Sequence, residues 1–378
     1  MRDAIVKSLA VLCLVTLIFS LDPGRAGAAV SVSAQSAVLI DQETGRMLYE
    51  KNSRQRLPIA SITKVMTAVL AVESGKMNRT VTVSRRAAVA EGSSVYLKAG
   101  ERMKLRDLVY GLLLRSGNDA ALAIAEAVGG SERGFALMMN EKARELGMTD
   151  THFMNPSGLH DPDHYSTAAD MAALTAYAME NRVFRKIIRT RRYREAATNR
   201  SEARLWVNKN KMLRLYRYST GGKTGFTKNA GRTLISTASR NGLSLIAVTL
   251  NDGDDWRDHR HLFEWAFTEF KRTQVLKKGR VKTDGVAPMK GTLRIDRAVY
   301  LPLSPAEKRA LTKELILIRR PNTAGMRPAG RMIVKIDGRK VADVPVYYHA
   351  KKQGKQLFRT IFFAMLQAAL SGREQPLI

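Results

Sequence analysis

Cysteine is nearly missing from this chain of 378 residues: the single one, Cys13, lies in an apolar N-terminal run. Arg2 and Lys7 precede that run, LAVLCLVTLIFSL, and the small residues Ala26, Gly27 and Ala28 follow it. This is the pattern of a secretory signal peptide over residues 1–28, cleaved near Ala28. The run is shorter than the ~20 apolar residues that a bilayer span needs, so it is not read as an anchor helix. Leu12 stands before Cys13 where a lipoprotein would carry a small residue. The mature chain is therefore expected to have no disulfide and no thiolate nucleophile.

Negative charge is the second scarcity. Asp and Glu number 34 against 63 Lys and Arg, a net charge of +29. Such a surface attracts nucleic acid, anionic lipid or an acidic polymer. Export removes nucleic acid from that set and leaves an anionic envelope surface, either lipid headgroups or a wall polymer. Internal repeats and low-complexity segments are also absent, and the length allows one large or two ordinary domains with real cores.

What is present reads first as an α/β domain over residues 29–272. SAVLIDQETGRMLYEKN predicts two short strands around a turn at Glu43 to Gly45. Helical periodicity follows Ile59, and recurs over Lys104–Leu114, Asp119–Val128, Arg133–Leu146 and Thr167–Glu180. FMNPSGLHDPDHYS has the composition of a surface loop. Pro162 spoils helical i, i+4 spacing between His160 and His164, so neither a metal nor another cofactor is expected. GRTLISTAS and LSLIAVTL, parted by Asn241-Gly242, predict a hairpin on which the amphipathic run HLFEWAFTEFK would pack. The acidic residues of DGDDWRDHRH mark that helix's N-terminus. Strands at both ends with helices between imply a largely antiparallel sheet flanked by helices.

From Thr273 the texture changes to β-like segments between Gly and Pro turns, including a hairpin at Asp337-Gly338, which predicts a small all-β domain over residues 273–350. Over residues 351–378, Lys352, Gln356 and Arg359 share one helical face, and Phe358, Ile361, Phe362 and Met365 the other. This predicts a basic amphipathic helix lying on an anionic membrane surface. A terminal helix docked on its own protein is the alternative.

The chemistry centres on IASITKVMTAVL. Ser61 begins the only S-x-x-K of the chain, and Lys64 lies about one turn further on, on the same face. A hydroxyl needs a neighbouring base to become a nucleophile, and a desolvated lysine can be one. Helix-start N–H groups would also hold an oxyanion. Ser116-Gly117-Asn118 sits between two helices, where a hydroxyl can relay a proton and an amide can hold Lys64 or a substrate carbonyl. Lys223-Thr224-Gly225 occurs once, at a strand edge. Its ammonium and hydroxyl suit a carboxylate, and Gly225 lets an extended peptide approach the backbone.

S-x-x-K, S-x-N and K-T-G in that order form the combined signature of penicillin-binding proteins and serine β-lactamases. The chain resembles the low-molecular-mass penicillin-binding proteins, the serine-type D-Ala-D-Ala carboxypeptidases, over roughly residues 37–349. The resemblance extends to LIDQETGRMLYEKN, LLLRSGNDAA, NPSGLHDPDHYSTAADMA and GGKTGFTKNAGRTL. It implies a penicillin-binding/β-lactamase-like (transpeptidase-like) domain followed by the β domain. Its implied substrate is a peptidoglycan stem peptide ending in D-Ala-D-Ala, with β-lactams acylating the same serine. Ser61 would be the nucleophile, Lys64 the base and Ser116 the proton relay. Asn118 would position substrate, Lys223 and Thr224 would hold the terminal carboxylate, and the N–H groups of Ser61 and Phe226 would form the oxyanion hole.

Two departures from the family pattern stand out. Lys209, between Asn208 and Asn210, stands where the family often shows an arginine; it is expected as a substrate-binding residue supporting the carboxylate, without the two-bond grip of an arginine. Thr220-Gly221-Gly222 lacks the acidic residue that often precedes K-T-G.

A D,D-endopeptidase or transpeptidase would share these motifs. A class A β-lactamase would need E-x-x-L-N between Asn118 and Lys223. Glu202 and Leu205 have that offset, but Trp206 replaces the asparagine. A non-catalytic wall-binding protein of the same fold is the reading from another class.

Overall fold

The computed structural model describes residues 30–281, 291–318 and 328–350. The expected signal peptide and amphipathic tail lie outside the described residues. The chain divides between Glu269 and Phe270 into two compact units, a few residues before the change of texture at Thr273.

The first unit opens with β1 (Ser36–Asp41) and β2 (Met47–Lys51), joined through Gly45 at φ +70°. A 3-10 turn, Ala60–Thr63, leads into α1 (Lys64–Glu73). Every residue of α1 before Glu73 is buried. A helix apolar all round belongs in a core, and α1 is the axis of this one. β3 (Thr80–Thr82) pairs with β4 (Arg102–Lys104), with the short α2 (Arg85–Ala88) between them. α3 (Leu105–Tyr110) runs into a π-helical turn, Gly111–Arg115, and then α4 (Asn118–Gly129) and α5 (Glu132–Glu145). α6 (Ala168–Glu180) and α7 (Arg182–Ile188) follow, parted by Asn181, whose side chain caps α7.

β5 (Arg192–Glu195) and β6 (Arg204–Val207) form a hairpin that propensity did not single out. Its strands are rich in arginine, and tertiary contacts fix it. Tyr193 stacks on Tyr110 with ring centroids 3.7 Å apart, and Arg204 bridges Glu101 and Glu195. The short α8 (Met212–Leu215) precedes β7 (Ser219–Thr227), β8 (Gly231–Arg240) and β9 (Leu243–Leu250). The β8–β9 turn has Asn241 at φ +52° and Gly242 at φ +79°, the conformation that two-residue hairpins favour.

These strands form one antiparallel sheet in the order β2-β1-β9-β8-β7. Period-2 alternation divides its faces. Ile246, Val248 and Leu250 join the cluster built on α1 and α6, while Thr249 hydrogen-bonds His259 of α9 (Asp255–Glu269). The edge strand β7 carries Lys223 to Phe226.

The second unit is antiparallel β. β11 (Gly279–Arg280), β12 (Gly291–Ile295), β14 (Leu311–Leu317), β15 (Pro328–Ile336) and β16 (Arg339–Ala350) form a sheet in the order β11-β12-β16-β15-β14. β10 (Lys271–Leu276) pairs with β13 (Val299–Leu303), and α10 (Pro305–Arg309) starts in a capping box on Ser304. Leu293, Leu301, Val334 and Val346 are among its core residues. Among the described residues no helix is long and apolar enough to cross a membrane.

Candidate active site

Ser61 is not yet in the α-helix. It sits in the 3-10 turn whose preceding residue, Ile59, offers no side-chain cap. The first amides of a helical turn have no acceptor within it, so an apolar lead-in leaves them available. Ala60 adopts φ +48°, and Gly158 packs so closely behind it that a Cβ would stand 1.9 Å from the Ala60 carbonyl oxygen. On the other side Thr233 Oγ1 of β8 donates to the Ile59 carbonyl at 2.9 Å. A Cβ on Gly225 would lie 2.8 Å from the Ser61 nitrogen. The glycine of K-T-G is thus what lets β7 reach the turn that carries Ser61.

Lys64 is fully buried in the first turn of α1. Its Nζ lies 2.9 Å from Ser61 Oγ, 2.7 Å from Asn118 Oδ1 and 2.5 Å from the Ser157 carbonyl oxygen. Asn118 Nδ2 donates to the Glu91 carbonyl, which fixes its Oδ1 toward Lys64. Two of the three partners can therefore only accept. A neutral amine must give its two protons to them, and its lone pair is left facing the Ser61 hydroxyl.

Burial pushes the Lys64 pKa well below its ordinary 10.5, the charges of Lys223 and Lys209 push it further, and Asp119 opposes them. The geometry and the electrostatics both favour the neutral amine.

Ser116 stands at the end of the π-helical turn in a left-handed conformation, φ 66° and ψ 32°. Such backbone costs about 1–3 kcal/mol in a non-glycine residue and needs support. Three residues on, the buried Asp119 carboxylate accepts from the N–H groups of Val95, Leu97 and Ala120 and from Ser94 Oγ, which ties the start of α4 to the segment at 94–97. Lys223 Nζ donates to Ser116 Oγ at 3.0 Å and to the Thr224 carbonyl at 2.6 Å. Burial, followed by the charge of Lys209, lowers the Lys223 pKa to about 7. Thr224 and Gly225 are half-buried on the same strand, and Phe226 is exposed.

Lys209 stands apart. Asn208 and Asn210 turn inward to the Thr190 carbonyl and the Met212 N–H, and Lys209 projects between them to within 3.5 Å of Ser93 Oγ. It hydrogen-bonds none of the three motifs, but its charge depresses the pKa of both buried lysines.

Four contributors escaped the sequence reading. NPSG was read as surface loop, yet Pro156, Ser157 and Gly158 are buried. Asn155 Oδ1 accepts from the N–H groups of Ser157 and Gly158, which aims the Ser157 carbonyl at Lys64. The Asx-turn chemistry of Asn155 was visible, but its destination was not. The Glu91 carbonyl and Asp119 carry no motif. His164 accepts from the Met154 N–H at Nδ1, so its proton is assigned to Nε2, which donates to Thr63 Oγ1 in the turn that carries Ser61. Burial lowers its pKa to about 4 and keeps it neutral. His160 lies elsewhere, against Asn229, and no group of three or more His, Cys, Asp or Glu suited to a metal occurs among the described residues.

Fold and site together define a penicillin-binding, serine-peptidase type of domain. Residues 24–254 match the family model Peptidase_S11, described as D-alanyl-D-alanine carboxypeptidase, and the chain belongs to that family. It is 33% identical to the D-alanyl-D-alanine carboxypeptidase DacF of Bacillus subtilis, with 87% of this chain and 88% of that protein covered. It is also 33% identical to DacC of Escherichia coli, over 66% of this chain and 65% of that one. Among solved structures it is similar to penicillin binding protein 5 from Haemophilus influenzae, with TM-score 0.73, 25% identity, and 85% and 98% of the two chains covered. DacD from Francisella tularensis superposes with TM-score 0.68 at 25% identity, over 86% and 94%.

Proposed function

We propose that this serine hydrolase removes the terminal D-alanine from peptidoglycan stem peptides ending in D-Ala-D-Ala, through an acyl-enzyme on Ser61. The observation that carries the reading is the Lys64 amine, held by two obligate acceptors so that its lone pair meets Ser61 Oγ. Ser61 Oγ attacks the carbonyl carbon of the penultimate residue as its proton passes to Lys64. The N–H groups of Ser61 and Phe226 hold the oxyanion that forms. Lys223 and Thr224 hold the terminal carboxylate, a role that needs Lys223 charged while Lys64 is neutral. Collapse breaks the peptide C–N bond, and the proton returns from Lys64 through Ser116 to the departing amine. Water then attacks the ester by the same route, releasing a peptide shortened by one residue. A β-lactam amide enters the same path and leaves Ser61 acylated.

A second reading has a specific observation behind it. A single-residue mutant of the Streptomyces K15 DD-transpeptidase superposes with TM-score 0.60 at 29% identity, over 63% of this chain and 99% of that one. The same acyl-enzyme, passed to an amine instead of water, would give transpeptidation. Glu202, the one candidate for a β-lactamase-type deacylating glutamate, is exposed in the β5–β6 connection. The chain is further proposed to act outside the cytoplasm, on the strength of its signal-like N-terminus and its wall substrate. Its tail (residues 351–378) would lie on the membrane surface. Deleting the tail should release the protein from membranes with catalysis intact.

Incubation with a defined stem pentapeptide, alone and with an acceptor amine, followed by mass measurement, tests the reading. Loss of one D-alanine supports it. Unchanged peptide, or release that persists in Ser61→Ala, overturns it.

A further inference from the structure

Several surface cations of this chain have carboxylate partners among the described residues. Arg56 pairs with Asp150, Arg86 with Glu132, Arg240 with Glu264 and Arg257 with Asp254. α7 is different. Arg182 and Lys186 lie at i, i+4, as do Arg185 and Arg189, and like charges at that spacing destabilise a helix. Arg185 donates to the carbonyls of Met179 and Glu180. Arg182, Lys186 and Arg189 are exposed and have no carboxylate partner among the described residues. All four line one concavity of about 390 Å³.

The opposite wall is made of hydroxyls. Thr220 of β7, Ser239 of β8 and Ser244 of β9 line it, together with Gln42. Ser244 Oγ donates to Ser239 Oγ at 3.1 Å, which leaves the Ser239 proton free for another acceptor. Cations on one side and neutral donors on the other, with no carboxylate in the lining, are the chemistry of an anion site. The wall is also firmly placed, since α7 is seated on β7 at Gly221, where a Cβ would stand 2.8 Å from Ile188 Cγ2. Gly221 lies two residues from Lys223 on the same strand.

We propose that this pocket binds the phosphate groups of a phosphodiester-linked polymer, a second site distinct from the catalytic one. Phosphate fits better than carboxylate, because guanidinium forks on one wall and hydroxyl donors on the other need an acceptor with oxygens on several sides. A polymer suits the charge run that continues past the pocket through Arg191, Arg192 and Arg194. Binding there would hold the enzyme on an anionic polymer while β7 stays open at its catalytic end.

The test uses the full chain and poly(glycerol phosphate) of defined length at 0.15 M salt, where charges more than ~8 Å apart are largely screened. Three variants are compared with the unaltered protein: Arg182→Gln/Lys186→Gln/Arg189→Gln, an equal charge removal at Lys308, Arg309 and Lys313 of the second unit, and Ser239→Ala. The pocket triple should weaken binding at least tenfold, the second-unit triple less than twofold, and Ser239→Ala severalfold, with D-alanine release unchanged in all. Equal weakening by the two triples would mean diffuse charge and overturn the proposal. So would full affinity in the pocket triple, or binding to phosphatidylglycerol vesicles without binding to the polymer. If the pocket triple does not fold, Ser239→Ala decides: weaker binding supports the site and unchanged binding overturns it.

Discussion

The two units bury different things. Inside the first lie Lys64, Lys223, Glu101, Asp119, His164 and His259, all nearly inaccessible. Among the described residues of the second, the only buried polar one is Ser304, a helix cap. Charges of the second unit sit on its surface and pair across strands, Arg331 with Asp343 and Lys335 with Glu314, each at 2.6 Å. Burying a cation costs free energy, and a fold keeps one where it needs a shifted pKa. The second unit is built as stability alone would build it. The first holds two lysines whose pKa values burial lowers, at the expense of stability.

The largest effect should come from breaking the Ser61–Lys64 pair. Ser61→Ala is expected to lower acylation by fluorescent penicillin by about a thousandfold or more. Lys64→Met should do the same while raising stability by about 1–2 kcal/mol, because the buried amine is replaced by an apolar side chain of similar length. Thermal midpoints measured beside the labelling check both halves. A destabilised Lys64→Met protein would break the comparison between the units.

Lys223→Met should cost about a hundredfold in kcat/KM for the stem peptide, and its stability should carry a signature. The folded-state pKa of Lys223, about 7, lies below its ordinary 10.5, so between these values the folded protein binds fewer protons than the unfolded one. The penalty of burying Lys223 is therefore complete below pH 7 and fades as the pH rises toward 10.5. The gain in thermal midpoint of the variant over the unaltered protein should shrink across that window.

Removing the third cation sharpens the point. Lys209→Gln takes away a charge that lowers both buried lysines. Both limbs of the kcat/KM–pH profile should then move to higher pH, the acid limb with Lys64 and the alkaline limb with Lys223. Limbs that stay in place would detach Lys209 from the site.

The smallest effects belong to the second unit. Val334→Ala, in its core, should cost about 1–3 kcal/mol in denaturant melts without changing penicillin labelling. A double-mutant cycle on Arg331 and Asp343 should give a coupling of about 0–1 kcal/mol, as exposed pairs do.

Much of the fold was legible because its signals are local. The alternation of LSLIAVTL, the Asn241-Gly242 turn and the uninterrupted apolar face of KVMTAVLAV each specify an element within a few residues. The β5–β6 hairpin was not legible, since arginine-rich strands carry no such pattern and Tyr193, Trp206 and Arg204 hold them by contacts distant in sequence. Within the site, the hydroxyl, amines and amide of the three motifs could be named from residue types and order. The Glu91 and Ser157 carbonyls could not, because every residue has a carbonyl and only the folded chain selects two of them.

By itself the sequence determined which groups are available: one serine a turn before a lysine, a Ser-Gly-Asn between helices, a Lys-Thr-Gly on a strand, and a surplus of cations. Only the tertiary structure decided their states. It buries Lys64 and Lys223, sets Lys209 near both, and spends two of the Lys64 hydrogen bonds on oxygens that cannot donate. A pKa and the direction of a lone pair depend on solvent exclusion and on neighbours tens of residues away, and neither is written in the spacing of a motif.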